Sequence, residues 1–172
     1  MADTCRLFLA LWPDGPVRER VTATLQQTSV LSHPGRPVAP ENLHITLRYI
    51  GAVDNLQLAC IRHAVAAVAL TPFTLQLDHQ GCWDRPQVAW LGMQQIPDVL
   101  QQLARDIDEA LQGCGIEPLP GPFVPHMTFM RKIRHLPATT VPPISWRVDS
   151  FVLVLSESSP QGVRYTVLNR WS

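Results

Sequence analysis

Apolar positions follow two rhythms along this chain, one of strands and one of helices, and together they set its elements. Arg6–Trp12 (RLFLALW) is an unbroken apolar run, the pattern of a strand buried on both faces. Pro13, Gly15 and Pro16 end it, and Val17, Val21 and Leu25 at intervals of four predict a helix from Pro16 to about Thr28. Leu43-His44-Ile45-Thr46-Leu47-Arg48-Tyr49 then alternates. In an ideal strand Leu43, Ile45, Leu47 and Tyr49 face a core, and His44, Thr46 and Arg48 share the other face. Asp54 is placed to cap a helix running to about Leu70 on a stripe of Leu56, Ala59, Cys60, Ala64 and Ala67.

Thr71-Pro72 breaks that helix, and Phe73–Leu77 alternates as a half-buried strand. Gly81–Pro86 reads as a turn returning the chain in a strand from Val88 to Leu91, so Phe73–Gly92 predicts antiparallel pairing. Pro97 opens a helix on Leu100, Leu103, Ile107 and Leu111, closed by Gly113 or Gly115. His126-Met127-Thr128-Phe129 repeats the earlier device, with His and Thr on one face and apolar residues on the other. Each His-x-Thr strand is delivered by a Pro/Gly loop, Ser32–Pro40 before the first and Pro118–Pro125 before the second. Arg134–Pro143 reads as irregular, and Phe151–Leu155 with Arg164–Leu168 as a closing hairpin. Strand, long helix, loop and His strand recur in each half. The expectation is an α+β fold of two pseudo-symmetric lobes of antiparallel sheet with outer helices, forming one bilobed domain over 1–172.

Composition narrows the functional classes. The apolar fraction of 46% supports a packed core, and the formal net charge of zero argues against broad wrapping of nucleic acid while leaving room for a grip on one strand end. Lys132 is the only lysine. Cys5, Cys60, Cys82 and Cys114 show no Cys-x-x-Cys spacing, so a zinc ribbon is not expected and the thiols read as small buried hydrophobes of a reduced, cytoplasmic chain. Neither a signal peptide nor a membrane span is expected, and no coiled-coil seam asks for a partner, so the chain reads as a monomer. The first strand lacks a Gly-x-Gly-x-x-Gly successor, and no Walker motif is present.

Two His-x-Thr strands brought side by side have the equipment to open a cyclic phosphodiester. In-line attack by water requires a base on one side of phosphorus and an acid on the other, roles that two near-neutral imidazoles fill. Thr46 and Thr128 hydroxyls, beside each His, offer donors to the charged equatorial oxygens. No carboxylate or third His stands at metal-ligand spacing, so neither metal nor cofactor is expected. Residue types alone do not decide which His is acid and which base. Arg48 shares the ideal-strand face of His44, whereas Arg131 has the wrong parity to join His126 unless the strand ends or twists. His33, His63, His79 and His135 lack the strand context and read as surface residues. Trp83, Trp90, Trp146 and Trp171 read as packing residues.

These features resemble the two-histidine phosphoesterase superfamily, whose signature is a pair of His-x-Thr-x motifs. More narrowly, the chain is similar to the bacterial RNA 2′,3′-cyclic phosphodiesterases of the 2′-5′ RNA ligase family. The likeness runs through Arg6-Leu7-Phe8, Gly35-Arg36-Pro37-Val38, Asn42–Leu47, Phe73-Thr74-Leu75, Val88–Met93, Pro122-Phe123, Pro125–Thr128, Arg164-Tyr165-Thr166 and Arg170-Trp171. It implies metal-independent hydrolysis of 2′,3′-cyclic phosphate RNA ends to 2′-phosphate ends, with 2′-5′ ligation as a side activity. It further implies His44 as proton donor, His126 as proton acceptor, and Thr46, Thr128 and Arg131 as substrate-binding residues. Gly121 stands where a basic residue is common in that family. A non-catalytic module that clamps RNA ends with the same groove is the alternative.

Overall fold

The computed structural model describes residues 5–28, 30–137, 140–160 and 162–172. In chain order the elements are β1 (Cys5–Leu11), α1 (Gly15–Gln27), β2 (Arg36–Pro37), β3 (Ile45–Val53) and α2 (Asn55–Ala66). There follow β4 (Phe73–Leu77), β5 (His79–Trp83), β6 (Val88–Gly92), α3 (Asp98–Gln112), β7 (Met127–Arg131), β8 (Ile144–Val148), β9 (Phe151–Ser159) and β10 (Gly162–Trp171). The main sheet has the order β10-β9-β1-β3-β7-β6-β5, with β2 against β7, and every pairing is antiparallel. A separate ribbon pairs β4 with β8.

The order is symmetric about the β3–β7 junction. On one side β1 leads through α1 and a Pro/Gly loop into β3; on the other, β6 leads through α3 and a Pro/Gly loop into β7. The two halves meet in the sheet where Ile45 of β3 stands opposite Met127 of β7, and β2, in the loop before β3, adds Arg36 opposite Arg131 and Pro37 opposite Met130.

β1 is covered on both faces as its apolar run demands: Leu7, Leu9 and Leu11 lie in the main core, and Phe8 and Ala10 join Val152 and Val154 in a smaller cluster. Asp14 caps α1, its Oδ1 accepting from the Val17 N–H at 2.9 Å, and Val17, Val21 and Leu25 are buried. α3 buries Leu100, Leu103, Ala104, Ile107 and Leu111. The leucines and Ile107 each contribute roughly 1.5–3 kcal/mol by leaving water, so this stripe anchors the helix without a side-chain N-cap.

Four expectations need correction. Asp54 does cap α2, but the helix ends at Ala66 and buries Ile61 and Val65, while Leu56 is 83% exposed. β4 pairs with β8, an element that the Pro-rich approach to Ile144 obscures, rather than with the strand at Val88. The partner of β6 is instead β5, part of which reads as a turn because His79-Gln80-Gly81-Cys82-Trp83 lacks alternation. Gly81 is needed there: a Cβ on it would lie 2.2 Å from the Trp90 indole. Finally, Cys60 and Cys114 form a disulfide across a sequence separation of 54, where separate thiols are expected, because α2 and α3 pack side by side. Cys5 and Cys82 are free. Among the described residues no helix is long and apolar enough to cross a membrane.

Candidate active site

The register at the junction fixes the arrangement of the two motifs. With Ile45 opposite Met127 in antiparallel strands, the positions to either side place His44 across from Thr128 and Thr46 across from His126. The histidines therefore occupy one diagonal of a square and the threonines the other. Diagonal neighbours stand roughly 7–8 Å apart on a sheet, room for a phosphoryl group between two imidazoles. All four side chains line one cleft of about 790 Å³.

Each imidazole is oriented in the same way. His44 Nδ1 lies 2.7 Å from the Asn42 carbonyl, and His126 Nδ1 lies 2.8 Å from the Val124 carbonyl. A carbonyl only accepts, so each Nδ1 carries the proton and donates it. That leaves Nε2 of each ring to exchange protons with a ligand. Aromatic rings set the polarity around them. Trp12 stacks on His44 at 5.2 Å, Phe8 and Tyr165 close in at 4.9 and 5.4 Å, and Trp83 meets His126 edge-on at 4.6 Å.

This environment disfavours the imidazolium. Burial, opposed by the Asn42 hydrogen bond and reinforced by the nearby positive charges of Arg131 and His126, pushes His44 down from 6.5 to about 4. Burial also lowers His126, again against its backbone hydrogen bond and with Arg131 adding to the effect. The cleft thus disfavours charge on both rings, which stand beside a guanidinium.

Arg131 reaches the cleft through a β-bulge. Trp90 is opposite Thr128 and Ala89 opposite Met130, so Phe129 is an extra residue in β7. The bulge inverts the alternation and returns Arg131 to the face of Thr128, against the ideal-strand parity. β3 carries the equivalent bulge: Ala10 is opposite Thr46 and Leu9 opposite Arg48, which leaves Leu47 extra. Here inversion has the contrary effect. Arg48 turns into the core, 3% exposed, where Nε lies 2.7 Å from Asp108 and the guanidinium donates to the Glu117 carbonyl. The expectation that Arg48 shares the face of His44 is overturned, and so is the core placement of Tyr49, which is 51% exposed.

His63, His79 and His135 are exposed, His33 is partly so, and none lines the cleft. Trp146 is buried and Trp171 stacks on Phe151, as packing residues should. Trp83 instead lines the cleft, and sequence reasoning also missed Trp12 and Tyr165 beside His44. Strand parity held the signal for Trp12, two residues beyond Ala10 on the same face. Gly121 takes a positive φ of 90° in the loop before β7 and does not line the cleft. Among the described residues no group of three or more His, Cys, Asp or Glu is placed to hold a metal ion.

Known proteins share this organisation. An Escherichia coli (strain K12) RNA 2′,3′-cyclic phosphodiesterase is 35% identical, covering 100% of this chain and 98% of its own. A Thermus thermophilus RNA 2′,3′-cyclic phosphodiesterase is 32% identical over 97% of this chain and 89% of its own. The crystal structure of E. coli LigT complexed with 3′-AMP superposes with a TM-score of 0.85 at 34% identity, covering 98% of both chains. The two-lobed architecture and the paired motifs are thus those of a known group, and the family model that matches residues 13–160 names it: the chain belongs to the 2′-5′ RNA ligase superfamily.

Proposed function

We propose that this protein hydrolyses RNA ends bearing a 2′,3′-cyclic phosphate to 2′-phosphate ends, with His44 as the acid and His126 as the base. The observation that carries the reading is the diagonal pair of imidazoles, each with Nδ1 committed to a backbone carbonyl, facing one cleft with Thr46, Thr128 and Arg131. Relatives named for this reaction align with nearly the whole chain and support it. Because the cleft draws on both halves, residues 1–172 act as one catalytic unit. All five residues come from one chain, in keeping with a monomer.

In this mechanism a water molecule attacks phosphorus in line with the 3′-oxygen. His126 Nε2 takes the proton that the water loses as its oxygen bonds to phosphorus. The bond from phosphorus to the 3′-oxygen breaks, and His44 Nε2 gives that oxygen a proton, leaving a 2′-phosphate and a 3′-hydroxyl. Thr46 and Thr128 donate hydrogen bonds to the equatorial oxygens, and Arg131 balances their charge. Each imidazole contributes roughly a hundred- to ten-thousand-fold. His44 must be protonated to act, and the bound anion supplies the field that raises its affinity for a proton. Imidazoles, hydroxyls and a guanidinium account for every transfer, so the scheme uses no metal or cofactor. If an RNA 5′-hydroxyl replaces water, the same bond breaks and a 2′-5′ linkage forms, which makes ligation a side activity that abundant water outcompetes.

Product analysis tests the reading. An oligonucleotide ending in a 2′,3′-cyclic phosphate, incubated with EDTA, should yield a 2′-phosphate, and His44→Ala or His126→Ala should abolish turnover in a folded protein. A 3′-phosphate product would reverse the two roles. Binding of cyclic ends without turnover would point to a clamp instead.

A further inference from the structure

Arg36 is the cross-strand partner of Arg131. Like charges placed directly opposite in a sheet are destabilising. Among the described residues neither guanidinium has an ion pair; the one salt bridge is Arg48 with Asp108. Glu41, a carboxylate in the cleft lining, bonds to neither. Both arginines line the cleft, with Arg131 close enough to depress both histidines.

The segment holding Arg36 is built to lie there. A Cβ on Gly35 would stand 2.7 Å from Met130 Sδ and 3.2 Å from the Arg131 carbonyl, so only glycine lets β2 approach β7 this closely. Beyond Pro37, the Val38 N–H donates to the carbonyl of Phe129, the bulge residue, at 2.9 Å. The bulge that turns Arg131 toward the histidines therefore also fastens the strand presenting Arg36. Two cations are held side by side at the cleft lip, but the reacting phosphodiester carries one negative charge and already has Arg131.

Resting on the proposed reaction, we infer that Arg36 binds the next phosphate of the RNA backbone, the internucleotide linkage adjoining the terminal cyclic nucleotide. The preferred substrate is then a strand end and not a mononucleoside 2′,3′-cyclic phosphate. A planar, permanently charged guanidinium suits a phosphodiester.

The experiment compares kcat/KM on a dinucleotide ending in a 2′,3′-cyclic phosphate with that on the mononucleoside 2′,3′-cyclic phosphate, for wild type and Arg36→Gln. The wild type should prefer the dinucleotide, and the substitution should lower the ratio of the two values about tenfold, with Arg36→Lys falling between. The salt dependence on the dinucleotide should become shallower, as loss of one screened charge contact requires. Removing one of two opposed cations should leave thermal stability equal or higher, which a structural role for Arg36 does not predict. A wild type without dinucleotide preference overturns the inference, as does a ratio that Arg36→Gln leaves intact, whether both activities fall together or neither does. A wild type that turns over neither substrate overturns the reaction itself.

Discussion

The depressed affinity of His44 for a proton should appear as a pH-dependent loss of stability that one substitution removes. In the unfolded chain the ring titrates near 6.5, and burial in the folded cleft pushes it down to about 4. Above 6.5 both states hold a neutral ring and there is no penalty. As pH falls from 6.5 to 4 the unfolded state takes up a proton that the folded state refuses, and stability declines by about 1.4 kcal/mol per pH unit. The difference between 6.5 and about 4 amounts to about 3 kcal/mol, reached at about pH 4 and constant below it. His44→Asn is the informative change: its amide can still donate to the Asn42 carbonyl but does not titrate. Urea unfolding of both proteins from pH 7.5 to 4 gives the difference curve, in which the acid losses of carboxylates cancel. The variant should gain on wild type by about 3 kcal/mol across that window, and inorganic phosphate should blunt the wild-type decline by pairing with the imidazolium. Parallel curves would refute the claim that burial holds this ring neutral.

The same depressions set the kinetics. The profile of kcat/KM against pH reports the free enzyme, so it should be a bell with both limbs on the acid side of 6.5, the lower near 4, while kcat, measured with the anion bound, should shift to higher pH; a flat profile from pH 4 to 8 counts against the histidine pair where chemistry limits the rate. In the core, Asp108→Ala leaves the Arg48 charge buried with only the Glu117 carbonyl and should cost about 2–3 kcal/mol in urea unfolding. Arg48→Met, which removes the charge as well as its partner, should cost less, and equal losses would contradict the pairing.

What the sequence could and could not reveal turns on whether a feature is local. His44-Ile45-Thr46 and His126-Met127-Thr128 carry their face assignment within three residues, and the α1 and α3 stripes carry theirs within one helix, so these were legible. A bulge is not a property of one strand. Leu47 and Phe129 become extra residues only through the spacing of hydrogen bonds from β1 and β6, and each inverts the face assignments that follow it, in β3 as far as a second irregularity at Ile50. The differences fall where this requires: ideal alternation places Arg48 and Tyr49 on the wrong faces of β3, and it admits Arg131 to the cleft only if β7 ends or twists, where a bulge brings it instead. The β4–β8 ribbon and the Cys60–Cys114 bond depend likewise on partners far along the chain. Once both bulges are known, the halves can be compared position by position. Arg48 corresponds to the buried Met130, and Tyr49 to Arg131. The two strands thus share one backbone device but differ in the residue it delivers to the cleft face, a phenol from β3 and a guanidinium from β7. Only on the β7 side does a second arginine, Arg36, stand opposite. Positive charge accordingly gathers on the side of His126, the proposed base, whose ring burial disfavours as an imidazolium, with Arg131 adding to the effect. On the other side the aromatic box of Phe8, Trp12 and Tyr165 keeps His44 neutral until an anion arrives. The symmetry of the fold supplies two equivalent imidazoles, and the asymmetry of their surroundings fits the different work proposed for them.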